Sequence, residues 1–175
     1  VIATADETPS LPATGHNAVA GDYVNQLIYN GLVRLDDELN PVPDLVKDYT
    51  IEADENGEKS IWFMTLKEGV KFHDGTTLTS DDVVASILDA QTKPEVRSYT
   101  TSVVKIEKVD DLTFKIYTDG ASSALLYDLS HHGNMIRPKA LIDAGNDFNA
   151  NPIGTGAYKF VSWTRGEELR FTANE

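Results

Sequence analysis

The sequence has 175 residues, 41% of them hydrophobic, which suits one or two small folded domains and excludes a fibrous or disordered chain. Its 28 acidic against 15 basic residues give a net charge of -13, which disfavours nucleic acid or an anionic lipid surface as partner. There is no cysteine, so disulfide frameworks and thiolate metal sites are excluded, and no apolar run approaches the ~20 residues of a membrane-spanning helix. The chain begins at Val1 rather than Met, so it reads as a processed or cropped product from which a signal peptide could have been removed.

Residues 1–4 read as a short strand, and residues 6–17, which hold Pro9, Pro12 and Gly15, as a long loop of the kind that usually carries function. From Asp22, the spacing of Tyr23, Leu27 and Ile28 predicts an amphipathic helix stopped by Asn30-Gly31 as its C-terminal cap. A strand over 32–35 follows, and the proline-containing segment 41–45 leads to a second strand over 48–52. The turn Asp54-Glu55-Asn56-Gly57 joins that strand to a third over 60–66, whose apolar residues on both alternation faces suit a strand covered on two sides.

Residues 61–90 are the most closely determined part of the chain. Gly69 and Gly75 supply the positive φ of two tight turns, the first closing a hairpin onto a short strand that includes Phe72. Thr79 and Asp82 form a capping box with Asp in place of Glu. The helix over 81–90 is expected to bury Val83, Val84, Ile87 and Leu88 and to end before Lys93-Pro94. Alternation over 104–108 and 112–117, with Asp110-Asp111 between, predicts a half-exposed antiparallel hairpin. Helices follow over 123–131, with Leu125, Leu126 and Leu129 on one face, and over 138–144, with Pro138 in its first turn and Gly145 past its end. A last hairpin runs from 157–163 through Arg165-Gly166 into 169–172. Strands mixed irregularly with helices define an α+β fold, a mainly antiparallel sheet with flanking helices.

Few of these residues suggest reaction chemistry. His73 and Asp74 are read as organising their turn through side-chain to backbone bonds. His131 and His132 adjoin at a helix end, where neighbours point in different directions, so a surface role is expected; His16 is too remote in sequence for its role to be read. Gly154-Thr155-Gly156 lacks the rest of a phosphate-loop fingerprint and reads as a turn. The paired acids all fall at turns or helix starts, and no nucleophile elbow is present, so no catalytic residue, metal ligand or cofactor is assigned. Trp62, Phe63, Phe72, Tyr158 and Trp163 are expected in the core.

Four blocks occur together in one order: Leu27-Ile28-Tyr29-Asn30-Gly31-Leu32-Val33, the run from Trp62 to Gly75 with Thr79-Ser80-Asp81-Asp82-Val83, the Pro138 segment, and Gly154-Thr155-Gly156-Ala157-Tyr158. In combination they resemble the peptide and nickel binding proteins of ABC importers, solute-binding family 5, and the resemblance covers only the N-terminal portion of such proteins. It implies a partial first lobe of a type II-like, cluster C periplasmic binding protein, made of residues 1–30 and 154–175, with an accessory subdomain over 31–153 inserted in it. It further implies a periplasmic or extracellular receptor, a lipoprotein in a Gram-positive host, that captures peptides and delivers them to ABC permease subunits. The ligand would be closed over by a second lobe that this chain does not contain. The loop residues Glu7, Thr8, Pro9, Ser10, Leu11 and His16 then line the ligand cleft, while Gly69, Phe72, His73, Asp74, Gly75, Thr79, Asp82, Gly154, Gly156 and Tyr158 form the structural motif. Surface normally covered by the rest of the lobe would favour self-association of the shortened chain. The other reading, from a different class, is a stand-alone extracellular interaction or structural domain without a small-molecule ligand.

Overall fold

The computed structural model describes residues 6–56, 59–122 and 124–175. The strand expected over 1–4, Gly57 of the first turn and Ser123 at the start of one expected helix lie outside these residues. The main sheet has four antiparallel strands in the order β3 (Val46–Ala53), β4 (Lys59–Leu66), β6 (Thr113–Asp119), β5 (Lys105–Lys108). β4 is paired on both edges, and Trp62, Met64 and Leu66 bury one of its faces. The opposite face is only half-buried, contrary to the expectation of cover on two sides. Phe63 on that face is half-buried, and the Lys115 ammonium lies 4.8 Å from its ring centre.

Helix α2 (Ser80–Thr92) packs on the buried face. Its N-terminus is fixed by Asp82, whose carboxylate accepts from the Thr79 amide at 2.9 Å, the Thr79 hydroxyl at 3.1 Å and the Lys139 amide at 2.7 Å. The buried stripe is Val83, Ser86, Ile87 and Ala90 rather than the expected set, since Leu88 is 47% exposed and Val84 only half-buried. The stripe is rotated because the Ser86 hydroxyl is needed inside: it donates to the Arg137 carbonyl at 3.1 Å and accepts the Arg137 amide at 2.9 Å.

Before α2, Gly69 has φ 73° and Gly75 φ 88°, but no hairpin forms with β4, because both edges of β4 are already paired. Lys71 instead bridges Thr77, and Phe72 inserts into the core. A small ribbon of β1 (Val33–Leu35) and β2 (Pro41–Pro43) stands beside the sheet. Proline is tolerated in β2 because only one of its edges is paired. Helix α3 (Leu125–Ser130) buries Leu125 and Leu129, and α4 (Lys139–Asp143) follows Pro138.

A second, smaller core joins Leu11, Ala13, Ile28, Tyr29 and Met135 to one face of the hairpin β7 (Tyr158–Thr164) and β8 (Glu168–Ala173). Tyr158 is not in it: at the open end of that hairpin, opposite Ala173, it is 43% exposed. Helix α1 (Val19–Ile28) borders this core and differs from expectation in phase and end. Gly21, Asn25 and Ile28 face inward while Tyr23 is 62% exposed, because the imidazole of His16 lies flat where a Cβ on Gly21 would stand, 2.1 Å from Cε1. The helix ends as Tyr29 turns extended, and neither Asn30 nor Gly31 takes a left-handed cap conformation.

The two cores are fastened at His73. Its amide donates to the Gly154 carbonyl at 2.8 Å, and its Nδ1 accepts the Gly154 amide at 3.4 Å. The ring proton therefore sits on Nε2, which donates to the Gly156 carbonyl at 2.9 Å. Among the described residues no helix is long and apolar enough to cross a membrane.

Candidate functional site

Where the cores meet, a cavity of about 690 Å³ opens between α1, β1 and the segment after α3; Asn17, Asp22, Arg34, Tyr99, His131 and His132 are among the residues of its wall. Sequence separation hides this grouping. His131 is not on a helix: its backbone is extended (φ -69°, ψ 140°), which brings its ring to 4.1 Å from that of His132. His132 in turn lies 4.9 Å from His16, and Tyr99 stacks on His131 at 3.5 Å with the planes 8° apart. The surface role expected for the pair is thus overturned for His132, which is 4% exposed.

Each ring is held by particular bonds. Nε2 of His132 donates to the His16 carbonyl at 3.0 Å, and its Nδ1 faces the Asp22 carboxylate at 3.4 Å. Nδ1 of His16 accepts the Ala18 amide at 3.3 Å, and its Nε2 meets the Asn25 side chain at 3.0 Å. Nδ1 of His131 accepts the Gly133 amide at 3.1 Å. Stacked rings do not converge on a point, and among the described residues no three His, Cys, Asp or Glu side chains could hold a metal ion.

Electrostatics follow burial. His131 is pushed down to about 4, first by burial and then by repulsion from His132. His16 is lowered by the same two causes, and His73 mainly by burial. The hydrogen bond from His132 lowers Asp22. These directions fix a pH dependence. The three lowered histidines are neutral in the fold, whereas in the unfolded chain they take up protons below about 6.5. Protonation therefore favours the unfolded state, so stability is full above pH 7 and declines as pH falls through 6.5 toward 4. Unfolding free energies from urea melts at pH 7.5 and pH 5 are expected to differ by about 2 kcal/mol after discounting for partial exposure, with the lower midpoint at pH 5. A midpoint that stays flat or rises on acidification would contradict the assignment.

The loop before α1 is a strap more than an open rim. Glu7 Oε1 accepts from Trp163 Nε1 at 2.9 Å and from the Gly166 amide at 3.0 Å, and the Pro9 carbonyl accepts from Arg165 at 3.1 Å. Thr8 is buried and its hydroxyl donates to the Ser10 carbonyl at 2.7 Å, while the buried Ser10 hydroxyl has no partner among the described residues. Leu11 is fully buried in the second core, and its amide donates to Asn149 at 3.1 Å. His16 stands behind the cavity wall, against His132. The sequence reading missed Asp22, Asn25, Tyr99 and Asp128; none carries a local pattern that would single it out.

The motif residues lie elsewhere. Asp74 accepts from the Thr76 amide at 2.9 Å and from its hydroxyl at 2.6 Å, closing its own turn, whereas His73 binds the distant Gly154–Gly156 backbone. A second hollow of about 400 Å³ is edged by Asp74, Asp81, Asp82 and Asp143. All four carboxylates are engaged by cations or amides, Asp74 by the Thr76 amide, Asp81 by Lys108 at 2.6 Å, Asp82 by the Lys139 amide and Asp143 by the Lys139 ammonium.

Residues 40–175 match the family model for bacterial extracellular solute-binding proteins, family 5 Middle. The glutathione-binding protein GsiB of Pectobacterium atrosepticum is 32% identical over 97% of this chain and 33% of its own length, and that of Salmonella typhi is 31% identical over the same shares. The chain thus spans about a third of the length of the curated relatives it matches. Among solved structures, AgaA from A. tumefaciens R10 with agropinic acid superposes with a TM-score of 0.81 at 31% identity, over 95% of this chain and 34% of that one. The oligopeptide-binding protein AppA of Bacillus subtilis with a nonapeptide gives 0.82 at 26% identity, over 98% and 35%. NikZ of Campylobacter jejuni with Ni(L-His) gives 0.79 at 29% identity, over 97% and 34%. Two cores meeting at an open cavity, with the family match across most of the chain, lead to one conclusion: the chain belongs to the bacterial extracellular solute-binding proteins of family 5, which bind solutes and are not enzymes.

Proposed function

We propose that this chain is the N-terminal portion of a receptor that captures peptides outside the cytoplasmic membrane and hands them to the permease subunits of an ABC importer. In a host without an outer membrane it would be held at the surface by a lipid anchor. The observation that carries this reading is the cavity at the meeting of the two cores, with aromatic and imidazole rings on one wall and polar groups around them. Such a mixture of flat apolar surface and a few directed polar groups suits a small polar solute. Peptides are favoured as the class because glutathione is a tripeptide and AppA holds a nonapeptide.

The proposed division into a first lobe (1–30 and 154–175) and an inserted subdomain (31–153) is supported by the packing. The larger core draws on Leu32 through Ile153, and the smaller on Leu11 to Tyr29 with Phe160 to Phe171, Met135 alone crossing between them. Closure of a further lobe over the cavity would then shift open and closed populations when ligand binds.

The test is a thermal-shift screen of the complete gene product and of the 175-residue chain, run side by side against di- to octapeptides, glutathione, nickel with histidine, and oligosaccharides. A ligand at a hundred times its Kd adds about 2.7 kcal/mol, a rise of a few degrees. The complete product is expected to respond to peptides. If it responds to none of the classes, the transport reading fails and the stand-alone domain replaces it.

A further inference from the structure

We infer that His131 reads the solute in this cavity, donating one hydrogen bond from the edge of its neutral ring, through Nε2, to an amide carbonyl oxygen. The inference rests on the cavity being the solute site, as proposed above.

Three observations fix the donor. Tyr99 covers one face of the ring at 3.5 Å, and His132 approaches to 4.1 Å; two rings this close cannot share one face, so the imidazole is sandwiched and only its edge is free. Nδ1 accepts the Gly133 amide, which leaves the single proton of the neutral ring on Nε2. Among the described residues no group pairs with Nε2, although the ring is part of the cavity wall. A direction set by two stacking partners and a backbone bond gives a donor already oriented before any ligand arrives.

Charge then selects the acceptor. Burial keeps His131 uncharged well below neutral pH, so it offers a neutral donor and no cation. The groups around it are Asp22 on α1, His16 behind it, His132 beside it and Asp128 on α3, with Asp44 and Arg34 further along the wall. Asp22 is tied to His132 and Gln26, Asp44 to Asn30, and Asp128 to Ser102. Three carboxylates against one arginine disfavour a second carboxylate from the solute, whereas an uncharged carbonyl oxygen meets no such repulsion.

The experiment is titration calorimetry of the complete gene product with trialanine and trialanine amide. His131→Phe keeps a ring in the sandwich and removes the donor; it is expected to weaken both peptides about tenfold. His131→Gln, which can place an amide N–H near the same point, is expected to lose less. The ring state of the wild type is read separately by 15N shifts, which should report the Nε2-protonated neutral form between pH 5 and 8 and a change at Nε2 when trialanine is added; this arm stands even where the Phe variant does not fold. Equal binding by His131→Phe and wild type overturns the inference, as does a proton on Nδ1 or a loss confined to the free acid. A product that responds in the peptide screen but binds neither tripeptide overturns this inference alone, and silence in both experiments overturns the functional reading with it.

Discussion

Replacing Gly154 by alanine is expected to destabilise the chain by about 3 kcal/mol, at the upper end of overpacking effects. A Cβ there would lie 2.2 Å from the Ile28 carbonyl oxygen and 2.5 Å from Cδ1 of Tyr29. Neither neighbour can yield cheaply. The Ile28 carbonyl is held by the Gly156 amide at 2.8 Å, and the Tyr29 side chain is fully buried in the second core. The Gly154 backbone itself is bound to His73 through both its amide and its carbonyl, so the strain cannot be relieved by sliding the segment outward. Gly69→Ala is the internal comparison. Gly69 has φ 73° with nothing within 4 Å of the place its methyl would take, so that variant carries only left-handed strain, about 1 kcal/mol. Urea unfolding of the two variants decides the matter, and a smaller loss for Gly154→Ala than for Gly69→Ala would refute the close-packing account.

Asp89→Ala is expected to cost about 3 kcal/mol for a different reason. Its Oδ2 accepts from Arg137 at 2.9 Å, and Arg137 is only 2% exposed, so removing the carboxylate strands a buried guanidinium. Among the described residues, the remaining hydrogen bonds of the Arg137 side chain, to Thr14 and to the Ser86 carbonyl, are both 3.4 Å long and neutral, and Nε has no partner. Asp89 also receives Lys93 at 3.0 Å, but that lysine is 42% exposed at the C-cap just past the helix, and Lys93→Ala should cost no more than about 0.5 kcal/mol. Denaturant midpoints of the two variants should therefore separate clearly. Replacing the pair together by Asp89→Leu and Arg137→Met should recover most of the loss, since the penalty comes from the unpaired charge rather than from a missing attraction. Similar losses for Lys93→Ala and Asp89→Ala would show that the buried guanidinium is not the cause.

The parts of this fold that could be read from the sequence are those whose causes are local. Alternation around Asp110-Asp111 specifies the β5–β6 hairpin, and Thr79 with Asp82 specifies where α2 begins. The rotation of α2 could not be read, because Ser86 turns inward for an Arg137 backbone that lies 51 residues away. The end of α1 could not be read either, since Asn30-Gly31 is a sound stop signal and the chain stops there by another conformation. Least legible was the site. His16 and His132 are joined over 116 residues, and Tyr99 approaches His131 from a third segment, so no spacing rule connects them. The loop of residues 6–17 attracted notice by its length and its prolines, yet most of its side chains hold it down rather than face the cavity.

The strap formed by that loop has a consequence for the order of folding during synthesis. Glu7 is fastened to Trp163 and to the Gly166 amide, 156 and 159 residues away. On a ribosome, the segment around Glu7 must wait for residues 163–166 before it has a place to bind. The larger core needs only residues 32–153 and can close beforehand. The early segment then docks onto a body already formed, and its late attachment, not the pairing of the sheet, is expected to set the slowest step of folding.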